Sequence, residues 1–322
     1  MKRVLVVVLV ALGLTPALAR VPASDLFDEK TAFLLAVLTR DSYAIPFAAF
    51  DGRRWKAPWP ETRAVEMPIS VDDVDKDWWG IGRRPGRMTL WSSGAKIGEV
   101  ALTQLAMIKS LCSTRLGLKT DYKPREPALP RLKAPYPKDG LLVAGDITVD
   151  KIDTVEPGSA EWNRTLILIT DRFNKTETAA ARSFMAWRHP FDERQRRAQP
   201  LKLEAIYRAP DENPGWTTYF VEAVREYPAR PADAGCGVVT NGHAWVHLGP
   251  RDEIKIELSA QVTYCDRKGV VFMLPFGLIR AGGRNAWVFQ LSGFEGEAYR
   301  VVDPEKNGTA LLASFHAGSC PE

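Results

Sequence analysis

Alternation of apolar and polar positions with a period of two dominates the second half of the chain. Leu203 to Tyr207, Trp216 to Val224, Val238 to Leu248, Ile254 to Tyr264, Val270 to Ile279, Ala286 to Leu291 and Glu297 to Val302 follow it, with Leu311 to Phe315 as a possible last run. Such runs, broken by turn residues, are the signature of half-buried antiparallel strands. The breaks are Asp211-Glu212-Asn213-Pro214-Gly215, Gly249-Pro250-Arg251-Asp252, Arg267-Lys268-Gly269, Gly282-Gly283 and Asn307-Gly308. They predict a meander over about 201–316, closed as a barrel or stacked as a sandwich.

A different period precedes it. Trp162, Leu166, Ile169 and Phe173 recur every three or four residues after Pro157-Gly158-Ser159, which predicts a helix capped by Ser159 with Glu161 in its first turn. Asn174 suggests a stop there. Thr176 then caps a second helix that ends before His189-Pro190, so helices occupy about 159–189.

The first third has shorter runs. Phe33 to Leu38 and Ala44 to Phe50 flank a turn, and Pro46 inside the second run suggests an edge strand. Asp51-Gly52 marks a tight turn, and Met88 to Ser92, Ile97 to Leu105 and Met107 to Cys112 are further strand candidates. Between 123 and 139 lie Pro124, Pro127, Pro130, Pro135 and Pro137, which supply no backbone donor and predict an extended linker. The expected organisation is a small β-domain over 20–122, the Pro-rich linker 123–139, and an α+β domain over 140–322 that opens with Leu141 to Gly145. The fold class is therefore α+β, strand-dominated, with a helical segment packed on a C-terminal antiparallel meander.

The N-terminus changes the picture of where this fold works. Lys2 and Arg3 precede the apolar run Val4 to Leu14, which is too short to span a bilayer comfortably, and Ala17-Leu18-Ala19 is a small-x-small cleavage site. Residues 1–19 are expected to be a signal peptide and the mature protein secreted or periplasmic. The competing reading is an uncleaved N-terminal anchor. No later run reaches transmembrane length, so no anchor is expected after cleavage. The formal net charge of +4 falls to +2 once Lys2 and Arg3 leave, which argues against a nucleic-acid partner. The one basic cluster, Arg194, Arg196, Arg197 and Lys202 beside Pro190 and Pro200, looks like a solvated connector.

An exported chain oxidises its thiols, and the four cysteines, Cys112, Cys236, Cys265 and Cys320, suggest two disulfides. If Leu248 faces Glu253 across the hairpin, Cys236 falls opposite Cys265, at a Cα separation of about 4.5 to 5.5 Å that a disulfide spans. Cys112 and Cys320 form the complement.

Candidate chemistry is sparse. His243 and His247 have a zinc-helix spacing but fall on a strand, where four residues span roughly 13 Å, so no metal is expected. Ser292-Gly293 lacks the nucleophile-elbow glycine, and Asp72, Asp73, Asp75 and Asp77 lack the calcium-loop pattern and fit a solvated acidic loop. No cofactor motif is present in the sequence. The ten tryptophans stand out, and five lie in the first domain. Core packing accounts for most. Trp59, Trp78 and Trp79, with Pro and Asp neighbours, are the candidates for a stacking surface. The function expected is that of an exported, non-enzymatic binding or structural protein of the cell envelope, engaging a protein or polysaccharide. The alternative is a secreted hydrolase, glycosidase- or esterase-like, with an unlocated acidic pair.

Overall fold

The computed structural model describes residues 31–60, 70–110, 112–124, 138–184, 189–229, 237–293, 296–305 and 308–320. The expected signal peptide and most of the Pro-rich linker lie outside these residues. The first third forms β1 (Phe33–Leu38), β2 (Tyr43–Phe50), β3 (Trp55–Lys56), β4 (Arg87–Ser92), β5 (Ala95–Ser110) and β6 (Ser113–Thr120). After the linker, β7 (Gly140–Ala144) does not open the second unit. It pairs with β1 and with β4, and the β1–β2 pairing closes the order β1-β7-β4-β5-β6-β2 into a six-stranded barrel, with β3 appended to β2. The runs of β1, β2 and β7 are apolar without alternation because both faces are covered. One face fills the barrel, and β2 also packs outward against the C-terminal strands, with Phe47 5.5 Å from the Tyr299 ring. Pro46 sits beside a register shift in the β1–β2 ladder rather than on a free edge.

The short strands β8 (Val149–Asp150) and β9 (Asp153–Thr154) lead to α1 (Ala160–Ser183) and α2 (Glu193–Ala198). The Ser159 side chain accepts from the Trp162 N–H, as a cap should. The expected stop at Asn174 does not occur. Thr176 donates its hydroxyl to the Arg172 carbonyl instead of capping a new helix. The buried stripe runs through Thr165, Ile169, Phe173, Glu177 and Ala181. Two of its members are polar, which is why the apolar period alone broke off too early. The basic cluster is not all loop either. Asp192 and Gln195 form a capping box that starts α2, and Arg196 is buried.

Eight strands follow: β10 (Lys202–Pro210), β11 (Thr217–Glu226), β12 (Val238–Leu248), β13 (Ile254–Tyr264), β14 (Val271–Ala281), β15 (Arg284–Gly293), β16 (Gly296–Glu305) and β17 (Gly308–Ser319). They make two antiparallel sheets, β13-β12-β11-β10-β9 on the helix side and β17-β16-β15-β14-β8 on the barrel side. Phe220 and Trp245 of the first meet Trp287, Phe289 and Leu291 of the second, with Trp245 and Trp287 edge-to-face at 5.0 Å. The other face of the helix-side sheet packs under Ile169 and Phe173 of α1. The other face of the barrel-side sheet, including Val288, Tyr299 and Phe315, packs on the barrel. The order of layers is helix, sheet, sheet, barrel. Gly242 is needed at the first junction, because a Cβ there would stand 2.6 Å from the Phe173 ring.

Cys112, beside the β5–β6 turn, is bonded to Cys320, just past β17. Cys265 is disulfide-bonded as well, and its expected partner Cys236 lies outside the described residues. The β12–β13 register is one residue away from the expected one: Leu248 faces Ile254, Val238 faces Tyr264, and the Cys265 N–H donates to the Gly237 carbonyl. The loop runs from Gly249 to Glu253, because the Gly249 N–H closes onto the Glu253 carbonyl.

Candidate binding site

The tryptophans singled out for a surface lie mostly inside. Trp59 is 2% exposed and Trp79 is 1% exposed. Trp59 Nε1 donates to the Leu116 carbonyl at 3.0 Å, and its ring meets Trp78 at 6.0 Å and Trp79 at 5.4 Å. Trp78 is half-buried against the barrel core. Two short 3-10 turns, Val71–Asp73 capped by Ser70 and Lys76–Trp79 capped by Asp75, carry the acidic residues and hold Trp79 inward. The three rings form a plug at the barrel wall, and no flat indole face is offered by Trp59 or Trp79.

The histidines face into the sandwich from β12. His247 Nδ1 lies 3.2 Å from Asp211 Oδ2 and 3.1 Å from Thr218 Oγ1, while Thr218 donates to the same Asp211 oxygen at 2.9 Å. The residue types resemble a hydrolytic triad, but one ring nitrogen makes both contacts. A relay needs the two nitrogens to serve separate partners. Burial pushes the Asp211 carboxyl up, but hydrogen bonds from Asn213, Thr218 and His247 outweigh it and hold the group below the usual carboxylate range. This cluster pins the β10–β11 turn.

Glu222 and His243 are direct partners across β11 and β12. Glu222 is 4% exposed, and its Oε1 accepts from the Met273 N–H of the facing sheet at 2.6 Å. Burial pushes its carboxyl up to about 7, opposed by that hydrogen bond and helped by the Glu204 charge. Burial pushes the His243 imidazole down, opposed by a bond to the Val271 backbone, and pushes the Tyr207 phenol up, with the Glu222 charge adding to it. The groups facing Glu222 are thus His243, Tyr207, Glu204 and one amide. Such a carboxyl could serve as a general acid, but it is sealed between two sheets.

Linkage gives Glu222 a sign that can be measured. Its folded pKa lies above the ordinary 4.5, so the native state holds a proton that the unfolded chain releases. Stability is full below pH 4.5 and falls as pH rises toward 7. His243 acts oppositely: below its ordinary 6.5 the unfolded chain gains a proton that the buried ring resists, so its contribution falls with falling pH. Glu222→Gln removes only the first effect. Denaturant titrations at pH 4 and pH 8 are expected to show the variant gaining about 3 kcal/mol on the native protein between the two. A gap independent of pH would contradict the buried neutral carboxyl.

The remaining feature is the edge of the helix-side sheet. Among the described residues β13 is terminal, paired only with β12, and its eleven residue pairs run without a bulge. The Cys265–Gly237 and Gly249–Glu253 bonds fix the alternation. Lys255, Glu257, Ser259, Gln261 and Thr263 turn their N–H and C=O groups toward β12. Ile256, Leu258, Ala260 and Val262 turn theirs outward, and no hydrogen bond from the described residues reaches those groups. The other sheet ends differ: β8 and β9 are two residues long, and β17 carries two register shifts and lies against the barrel. α1 packs against β13 more than against any other strand, with Ile256 and Leu258 beside the cluster that holds Ile169 and Phe173. Between the C-terminal end of α1 and β13 is a groove of about 450 Å³, lined by Ala180 and Phe184 on the helix and by Ala260, Val262 and Tyr264 on the strand. The sequence shows β13 as a strand. Its place at an open edge follows only from the sheet order.

No helix among the described residues is long and apolar enough to cross a membrane. Among the described residues no cluster of three or more His, Cys, Asp or Glu side chains could hold a metal. Comparison with family models, with curated proteins and with solved structures gives no match to this chain.

Proposed function

We propose that this chain is an exported, non-enzymatic binding protein of the cell envelope that captures an extended polypeptide by adding it as a strand to β13. The observation that carries this reading is the row of outward backbone groups at Ile256, Leu258, Ala260 and Val262. Long, flat, unbulged edges recruit strands, and natural proteins ordinarily blunt them with bulges or shortness. The other long edge, β17, is bulged; β13 is not. Unpaired main-chain donors and acceptors call for a partner with its own peptide backbone, which favours a protein over a polysaccharide. With Trp59 and Trp79 buried, only the half-buried Trp78 of that trio is left to stack on a sugar, which also favours a polypeptide.

The test is selection of short random peptides displayed on phage against the immobilised, oxidised protein. Ala260→Pro is the discriminating variant. Its N–H points away from β12, so proline there removes an outward donor without breaking the ladder. Selected peptides are expected to bind the native protein and to lose about tenfold or more in affinity to Ala260→Pro. Peptides that bind both equally, or a selection that yields none, would overturn the reading. So would a native dimer that Ala260→Pro converts to a monomer, because the occupant of the edge would then be a second copy of this chain.

A further inference from the structure

We infer that the captured segment carries apolar or aromatic side chains at alternate positions, seated in the groove between β13 and the end of α1. This rests on the strand-addition reading and names its substrate class. Ala260 and Val262, whose outward backbone groups would receive the added strand, also line the groove. A strand lying along that edge must send every second side chain to the α1 face, because side chains alternate across a sheet.

On the α1 face those side chains meet Phe184, Val262 and Tyr264. Phe184 is 8% exposed while Tyr264 is 46% exposed, and the two rings stand edge-to-face at 5.6 Å. One wall of the groove is therefore aromatic and partly bare, which favours an apolar or aromatic guest. The charged groups at the groove, Asp266 and Lys268, are opposite in sign, so they select no net charge. The intervening side chains of the guest fall on the other face of the sheet, beside Glu257, Ser259 and Gln261. All three are exposed, so polar guests are accepted there. The segment is thus an amphipathic strand with apolar residues at i and i+2, recognised by main-chain bonds for affinity and by the groove for sequence.

The probe is the same phage-displayed library, read by sequencing and followed by affinity measurement of synthetic copies of the winners. Ala180→Trp fills the groove from a half-buried position on the helix and changes no residue of β13. The expected result is enrichment of Leu, Ile, Val, Phe, Tyr or Trp at two positions spaced by two. These peptides are expected to lose about tenfold in affinity to Ala180→Trp, at an unchanged thermal midpoint. Winners that are lost to Ala260→Pro, lack the spacing and ignore Ala180→Trp would overturn the groove assignment while sparing strand addition. Winners indifferent to Ala260→Pro would overturn strand addition itself. If Ala180→Trp lowers the thermal midpoint, Tyr264→Ala, at the exposed ring of the same groove, replaces it as the groove variant. A spaced apolar pair that keeps its affinity for that variant would contradict the inference.

Discussion

Replacing Cys112 and Cys320 together by serine is expected to lower the free energy of unfolding by about 5 kcal/mol. The bond joins residues 208 apart in sequence, so its loss frees most of the unfolded chain, and the chain-entropy effect grows with the logarithm of the loop. It also ties two layers together. Cys112 belongs to the β5–β6 turn of the barrel, and Cys320 follows the last strand of the barrel-side sheet. The contacts of β17 with β2, β3 and β6 survive the change, so the variant keeps a folded state whose stability can be measured. Guanidinium titrations of the native protein and of Cys112→Ser/Cys320→Ser, both under oxidising conditions, give the difference. A shift under 1 kcal/mol would mean that the two layers hold each other as firmly without the bond.

Arg225→Ala is expected to cost about 4 kcal/mol. Arg225 is 2% exposed and Glu177 is 1% exposed. The Glu177 carboxylate accepts from both Arg225 and the Tyr227 hydroxyl. Arg225 also donates to Asn174 at 2.9 Å and lies 5.1 Å from the centre of the Phe173 ring. Removing it leaves a carboxylate out of water with one hydroxyl and the Arg196 Nε at 4.0 Å. A stranded buried charge is costly, whereas replacing both partners by apolar groups of similar volume is nearly neutral. Glu177→Leu/Arg225→Met is therefore expected to recover most of the loss. A single substitution costing under 1 kcal/mol, or a double substitution as costly as the single one, would show that water reaches the pair.

The local chemistry of the chain was legible where it acts over a few residues. The period of two from Leu203 onward, the turn at Gly282-Gly283 and the Ser159 cap are decided by neighbours in sequence. The barrel is not local. Its closure depends on β1 pairing with β2 and on β7, beyond a proline-rich stretch, returning to lie between β1 and β4. Nothing in Leu141-Leu142-Val143 distinguishes that destination from a strand of the next sheet. The length of α1 was hidden by Glu177, a charged residue whose burial depends on Arg225, some fifty positions later. The hairpin at Gly249 was misplaced by one residue because the choice between loop lengths rests on a single hydrogen bond, and that step changes which residue stands opposite Cys265. Trp59 and Trp79 have loop neighbours and core environments, since short 3-10 turns can carry a large ring inward. The edge is the hardest case. Ile254 to Tyr264 has the same alternation as its neighbours, and only the sheet order shows that it ends its sheet among the described residues.

The central claim is that β13 presents a free row of backbone groups to a partner strand, and amide hydrogen exchange along β13 reads it directly. In the free protein the Lys255, Glu257, Ser259, Gln261 and Thr263 amides are expected to be protected by β12, while those of Ile256, Leu258, Ala260 and Val262 exchange quickly. A saturating selected peptide should then protect the second set and leave the first unchanged. Uniform protection along β13 in the free monomer, or outward amides that stay fast with peptide bound, would contradict the account.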